Sequence, residues 1–323
     1  MKKILIVHTG GTISMVEDKR TGSVHPTDRH PLSGISELFD GIADVDENII
    51  FSFPSPQITL QHMLKLANFI KDNISKYDGF VITHGTDTLE ETAYFLDLVL
   101  HIKKPVIITG AMRSSNEIGS DALYNLIASV RTAMCEKATN QGVLVVMNDE
   151  IHTAANVTKT STSNIATFQS PQFGPIGIIT KDSVLFHHQI LPKRVFDIQQ
   201  LTKKVHLLKA FAGMDHELID AVHALKPDGL VIEGLGQGNL PKNTISALKK
   251  MMDDNIALVL VSRCYQGIVQ PTYGYEGGGK QLKEMGVIFT NGLTGPKARI
   301  KLMIALEYTD KIEQVRQYFE EEM

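Results

Sequence analysis

Five side chains in this sequence could together carry out acyl transfer: Thr12, Ser55, Thr86, Asp87 and Lys159. A threonine hydroxyl is a poor nucleophile until something removes its proton. A lysine in a partly desolvated site can do so, because burial favours its neutral amine. Asp87, next to Thr86, could orient that lysine or hold a cationic group of a substrate. No cysteine or histidine is required, and the set suits attack on a small amide or ester. Thr12 is then either the nucleophile or a hydroxyl that only contacts a ligand. Each residue also has a plainer reading. Gly-Gly-Thr after a strand is often a tight βα turn, Ser55 between Pro54 and Pro56 could simply shape a loop, and a single lysine such as Lys159 is commonly a solvated surface group.

The case for the five acting together rests on the elements that must carry them. Ile4 to Val7 is a short β-branched apolar run stopped by glycine, the pattern of a buried strand. Gly10 and Gly11 let the backbone turn sharply or lie close to a ligand, and they leave Thr12 at the strand's carboxyl end. Open α/β sheets bind ligands at that edge. Asn48 to Phe53 reads as a second strand, ending in Pro54-Ser55-Pro56. A third, Gly79 to Thr83, runs into His84-Gly85-Thr86-Asp87-Thr88. Pro105 to Thr109 and Gly142 to Met147 are the fourth and fifth, the last leading into a polar run through Lys159. Helices are expected over 59–76, with Thr59 as N-cap, over 89–100 and over 121–135. This alternation predicts an α/β fold, a larger N-terminal doubly wound and mostly parallel sheet, with every loop named above on one edge. His84 is expected to pack or hydrogen-bond near its turn rather than act as a base. The long polar stretch from Met15 to Ser33 suits a lid or binding loop.

Gln189 to Lys203 has no clear period, so the chain is divided into an N-terminal domain over 1–190, a linker over 191–203 and a smaller C-terminal α/β domain over 204–323. In the latter, Val205 to Ala210, Gly229 to Glu233 and Ala257 to Ser262 read as strands. Helices are expected over 242–253, 296–308 and 311–322. The glycines of Gly234-Leu235-Gly236-Gln237-Gly238 are a weak hint of a nucleotide turn. Around Thr12 neither the P-loop pattern nor G-x-G-x-x-G fits.

Composition narrows the partners. The 323 residues carry a net charge of −4 with no Lys/Arg block, which argues against nucleic acid or an anionic membrane. Two distant cysteines, Cys135 and Cys264, form neither a disulfide framework nor a zinc spacing. The twelve histidines are scattered, so no metal and no cofactor are expected. The N-terminal apolar run is too short for a signal sequence and nothing approaches a membrane span, so a cytoplasmic location is expected.

Thr9-Gly10-Gly11-Thr12-Ile13 and His84-Gly85-Thr86-Asp87-Thr88 resemble the two signature motifs of the bacterial-type L-asparaginases. Val157-Thr158-Lys159-Thr160, Ala166-Thr167-Phe168 and Gly236-Gln237-Gly238-Asn239 resemble the same family, so the likeness runs in order over nearly the whole chain. The lack of a leader resembles the type I, cytoplasmic branch. The resemblance implies hydrolysis of L-asparagine to L-aspartate and ammonia through a threonyl acyl-enzyme formed on Thr12. Thr86, Asp87 and Lys159 would form the second polar constellation. Asp87 would bind the substrate ammonium, Ser55 its α-carboxylate, and Gly11 would lie among the substrate-binding positions. Asn239 would reach the site from a neighbouring subunit of a homodimer or of a tetramer built as a dimer of dimers.

Two positions depart from the family pattern. Family members commonly carry a tyrosine in the lid, but here none precedes Tyr77, and Val24 stands near the expected place. Pro56 replaces a residue that is often polar. The proton of Thr12 could instead leave through Lys159 and Thr86, or to Tyr273, Tyr275 or Glu276 of the second domain. Rival readings are a broader glutaminase-asparaginase, an amidotransferase subunit acting on aminoacyl-tRNA, and a non-catalytic amino-acid sensor that would need Ser55 and Asp87 but not Thr12 or Lys159.

Overall fold

The computed structural model describes residues 1–26, 32, 34, 36–191 and 193–321. The chain forms two compact units, Met1–Pro192 and Lys193–Met323. The first opens on β1 (Lys3–Gly10), a small ribbon of β2 (Met15–Glu17) and β3 (Val24–Pro26), then β4 (Asp44–Phe53) and helix α1 (Leu60–Asn73). Next come β5 (Gly79–Thr83), α2 (Leu89–Val99), β6 (Val106–Thr109), α3 (Ala122–Met134), β7 (Val143–Met147) and β8 (Glu150–Thr153). A second ribbon, β9 (Thr158–Lys159) with β10 (Phe168–Gln169), precedes β11 (Gly177–Ile179) and β12 (Val184–Phe186).

Eight of these strands form one sheet in the order β12-β11-β8-β7-β6-β5-β1-β4. The five from β4 to β7 run parallel, whereas β8, β11 and β12 extend the sheet antiparallel. The expected doubly wound, mostly parallel sheet is therefore present, with an antiparallel flank beyond it. The run after Met147, read as polar loop through to Lys159, contains β8. Central strands buried on both faces read as unbroken apolar runs. Ile4, Ile6, Val81 and Ile107 pack with Leu126 and Val130 of α3, while the alternate residues Leu5, Val7, Phe80 and Ile82 are equally buried.

The N-cap expected at Thr59 forms a capping box with an unusual partner. The Thr59 hydroxyl accepts from the His62 N–H at 3.3 Å, and the Thr59 N–H donates to His62 Nδ1 at 3.1 Å. Imidazole here takes the place usually held by Glu or Gln.

The second unit holds β13 (Val205–Lys209), α4 (Glu217–Ala224), β14 (Gly229–Gly234), α5 (Ile245–Asp253), β15 (Ala257–Ser262), α6 (Gly279–Met285), β16 (Ile288–Phe289), α7 (Gly295–Tyr308) and α8 (Ile312–Glu320). Its four strands form a parallel sheet in chain order. Within the stretch read as a linker, Phe196 is buried against the rings of Tyr308 and Tyr318.

Candidate active site

Strands β4, β1 and β5 lie side by side, so the segments leaving their carboxyl ends meet. Two glycines decide how closely. Gly11 has φ +85° and ψ −179°, a conformation open essentially to glycine alone. A Cβ there would run into the backbone of Gly85. A Cβ on Gly85 would lie 2.7 Å from the Cβ of Ser55. Gly11 therefore meets Gly85 backbone to backbone and Gly85 rests on the Ser55 side chain, and this brings the segments carrying Thr12, Ser55 and Thr86-Asp87 together.

Thr12 is half-buried and opens a 3-10 turn, Thr12–Ser14, in which the Ser14 N–H donates to Gly11 O at 2.8 Å. The first N–H groups of such a turn have no partner within it. Ser55 opens a second such turn, Ser55–Gln57, and is 4% exposed. Its Oγ accepts from the Asp87 N–H at 3.2 Å, and its carbonyl accepts from the Thr88 hydroxyl at 2.8 Å.

Lys159 arrives from β9. Its Nζ donates to Thr86 Oγ1 at 2.9 Å and to Asp87 Oδ1 at 2.7 Å. The lysine side chain is 16% exposed and Asp87 is 61% exposed, so the ion pair is anchored in the protein and open to water on its carboxylate side. Thr86 is buried. An amine on a buried hydroxyl and a carboxylate on the amine's other side can pass a proton along a short path.

The ribbon that carries Lys159 is itself held. Glu90 Oε1 accepts from the Thr158 hydroxyl at 3.0 Å and from the Lys159 N–H at 3.2 Å. Just past the other strand, Ser170 Oγ bonds Nδ1 of the buried His152 at 3.0 Å. Glu90 has no place among the residues singled out from sequence. Its sequence position, in the first turn of α2, is one that any solvated glutamate could occupy. An open cavity of about 390 Å³ is lined by Asp87, Glu90, Lys159, Thr160, Ser161 and Thr162, on the lysine side of the site.

The start of the expected lid is the antiparallel ribbon β2/β3, with Val24 on β3. Asn116 ties it down by accepting from the Glu17 N–H at 2.8 Å and donating Nδ2 to Glu17 O at 2.9 Å. Most of the stretch beyond Pro26, through Ser33, lies outside the described residues. Asn239 belongs to the second unit, where Oδ1 accepts from the Gly279 N–H at 3.1 Å and its backbone closes a turn with Leu235. Tyr273 and Tyr275, also in that unit, are exposed with ring centroids 5.7 Å apart. Among the described residues, no group of His, Cys, Asp and Glu side chains is arranged to hold a metal ion.

His84 is fully used inside the fold. Nδ1–H donates to Gly85 O at 2.8 Å, so Nε2 is the acceptor for the Thr92 hydroxyl at 2.9 Å. Burial pushes its pKa down to about 4, against about 6.5 in the unfolded chain. Between those values the unfolded state binds the extra proton. The contribution is thus complete above pH 6.5 and is lost as pH falls toward 4. Unfolding by urea should show His84 costing the protein about 2 kcal/mol between pH 7.5 and pH 5. A His84→Gln variant should lose that part of the slope, and an unchanged slope would exclude His84 as its source.

The match to known proteins covers both units. The family model for the asparaginase N-terminal domain matches residues 3–192, and that for the glutaminase/asparaginase C-terminal domain matches residues 204–319. The chain belongs to the asparaginase family. An L-asparaginase of Bacillus licheniformis is 34% identical over 94% of this chain and 95% of its own. The crystal structure of a probable cytoplasmic L-asparaginase from Campylobacter jejuni superposes with a TM-score of 0.87 at 32% identity, covering 99% of both chains. A component chain of the glutamyl-tRNA(Gln) amidotransferase of Pyrococcus abyssi is 33% identical over 98% of this chain and 74% of its own.

Proposed function

We propose that the protein hydrolyses L-asparagine to L-aspartate and ammonia through a covalent intermediate on Thr12. The observation that carries this reading is the Lys159 amine bonded to both Thr86 and Asp87, on a loop whose Gly85 touches Gly11 beside Thr12. In the proposed reaction Thr12 Oγ attacks the side-chain amide carbon and gives up its proton. The tetrahedral intermediate collapses as that proton is passed to the amide nitrogen, which leaves as ammonia. Water then gives up a proton through the same groups and attacks the ester, and the proton returns to Thr12 Oγ as aspartate is released. Lys159 acts on these protons through Thr86. Asp87 holds the substrate ammonium and Ser55 its α-carboxylate. Backbone N–H groups near Thr12 and Thr86 face the developing oxyanion, a contribution worth several kcal/mol in sites of this kind.

Asn239 completes the site from a neighbouring subunit, and the working enzyme is a homodimer or a pair of dimers. Sedimentation that finds only monomer at full activity would remove that part. A cytoplasmic location is supported by the likeness to the probable cytoplasmic L-asparaginase of Campylobacter jejuni and is tested by fractionating cells that produce the protein.

The deciding experiment is ammonia release from L-asparagine by the purified protein, with L-glutamine in parallel. One methylene in a pocket is worth about 1–3 kcal/mol, so glutamine turnover is expected to be about 10- to 200-fold less efficient in kcat/KM. Equal efficiency would favour the broader glutaminase-asparaginase reading. The similarity to an amidotransferase chain supports a second reading, in which release from free asparagine would be negligible. Ser55→Ala removes a bond to a charged group and should raise KM for asparagine by about 10- to 100-fold. A KM unchanged in that variant would take Ser55 out of substrate binding.

A further inference from the structure

We infer that Glu90 is the residue that positions Lys159 for its part in the reaction. This rests on the asparagine-hydrolase reading above. Strand β9 is two residues long and pairs with only two residues of β10, Lys159 opposite Phe168 and Thr158 opposite Gln169. So short a ribbon cannot by its own ladder fix where a flexible lysine begins. Glu90 supplies what is missing, because one carboxylate oxygen takes both the Thr158 hydroxyl and the Lys159 N–H.

The support under Glu90 is rigid. It stands in the first turn of α2 between the buried residues Leu89 and Thr92. A carboxylate is electrostatically favoured at that end of a helix. Asp87 lies two residues before the same helix, next to its N-cap Thr88, and grips the lysine at the other end, through Nζ. The seven atoms from the Lys159 N–H to its amine are thus stretched between two carboxylates three residues apart, one in α2 and one in the loop that enters it. A displacement of the lysine Cα by about an ångström would break its contacts to Thr86 and Asp87 together. Misplacements of that size cost about 100-fold in rate when they move a reacting group. Glu90 acts through the peptide of Lys159, so its loss should appear in kcat and leave KM near the wild-type value.

Glu90→Ala removes the acceptor, whereas Glu90→Gln keeps an oxygen in its place and removes the charge. Two readouts are needed: steady-state asparagine hydrolysis, and labelling of the Lys159 amine with acetic anhydride followed by mass spectrometry. Glu90→Ala is expected to lower kcat about 100-fold with KM and the thermal midpoint near wild type, and to increase Lys159 labelling. Glu90→Gln should recover most of the rate and the protection. Wild-type kcat and labelling in Glu90→Ala would overturn the inference, as would a loss of rate accompanied only by a lowered thermal midpoint. If the wild-type protein releases no ammonia but Glu90→Ala still exposes Lys159, the substrate assignment falls and the positioning stands. Should Glu90→Ala not fold, Thr158→Val, which deletes one of the two donors, carries the same test with the same expected signs.

Discussion

Thr12→Ala and Lys159→Met are each expected to lower kcat for asparagine by at least about 10⁴-fold, and the double variant to be scarcely worse than the slower single one. The expectation follows from the chemistry of the two groups. An alanine at position 12 leaves no atom that can form the ester. A methionine at position 159 keeps the length of the side chain but offers no proton to Thr86 or Asp87, which the native Nζ meets at 2.9 and 2.7 Å. Residues that serve one step as a unit do not add their losses, because once either is gone the path through both is closed. The control is aspartate binding by calorimetry, which should survive in Thr12→Ala because Ser55 and Asp87 are untouched. Strictly additive losses would mean that the lysine acts in a step separate from the threonine. Wild-type turnover in Thr12→Ala would remove Thr12 as nucleophile, whereas the sensor reading requires that the wild-type protein itself release no ammonia. Tyr273→Phe, Tyr275→Phe and Glu276→Gln address the proton of Thr12 from the other side. Full activity in all three leaves Lys159, acting through Thr86, as its carrier.

The parts of this site that were legible in the sequence are those written in local chemistry. Gly79–Thr83 is a strand over the range its apolar run predicted, and the motifs after β1 and β5 stand at neighbouring carboxyl ends because the two strands pair in parallel. The contact of Lys159 with Thr86 spans 73 residues of sequence; the strand pattern places both at one sheet edge, but no spacing rule predicts such a distance. What could not be read is short or relational. Strands β11 and β12 have three residues each, too few to show a period of two. β8 contains His152 and Thr153 and so reads as polar, yet both are buried, with His152 Nδ1 bonded to Ser170 Oγ. Helix α6 begins at Gly279 in a run of three glycines, where helix propensity is poor. Glu90 resembles any solvated glutamate of a first helical turn until the ribbon that it holds has been folded onto it.

Gly11→Ala should be the most damaging substitution to stability at the site, by about 4 kcal/mol, combining backbone strain of about 1–3 kcal/mol with overpacking of about 1–3 kcal/mol. Two separate penalties meet at this residue. Its φ of +85° with an extended ψ lies where side chains are essentially excluded, and the added methyl points at the backbone of Gly85 rather than at a side chain that could swing aside. Relief would require β1 and β5 to part at their carboxyl ends, where Gly85 in turn rests against Ser55. Gly22→Ala separates the two penalties. Gly22 also has positive φ, at +69°, but its methyl would meet only a glutamate oxygen 4.0 Å away, so only a left-handed penalty of about 1–2 kcal/mol applies. Urea denaturation of the two variants reads the difference directly. Equal losses would show that close approach of the Gly11 and Gly85 backbones contributes nothing beyond dihedral strain. A larger loss in Gly11→Ala, joined to a fall in kcat/KM in whatever fraction remains folded, would mean that the backbone contact which brings Thr12 beside Thr86 also holds this edge of the sheet together.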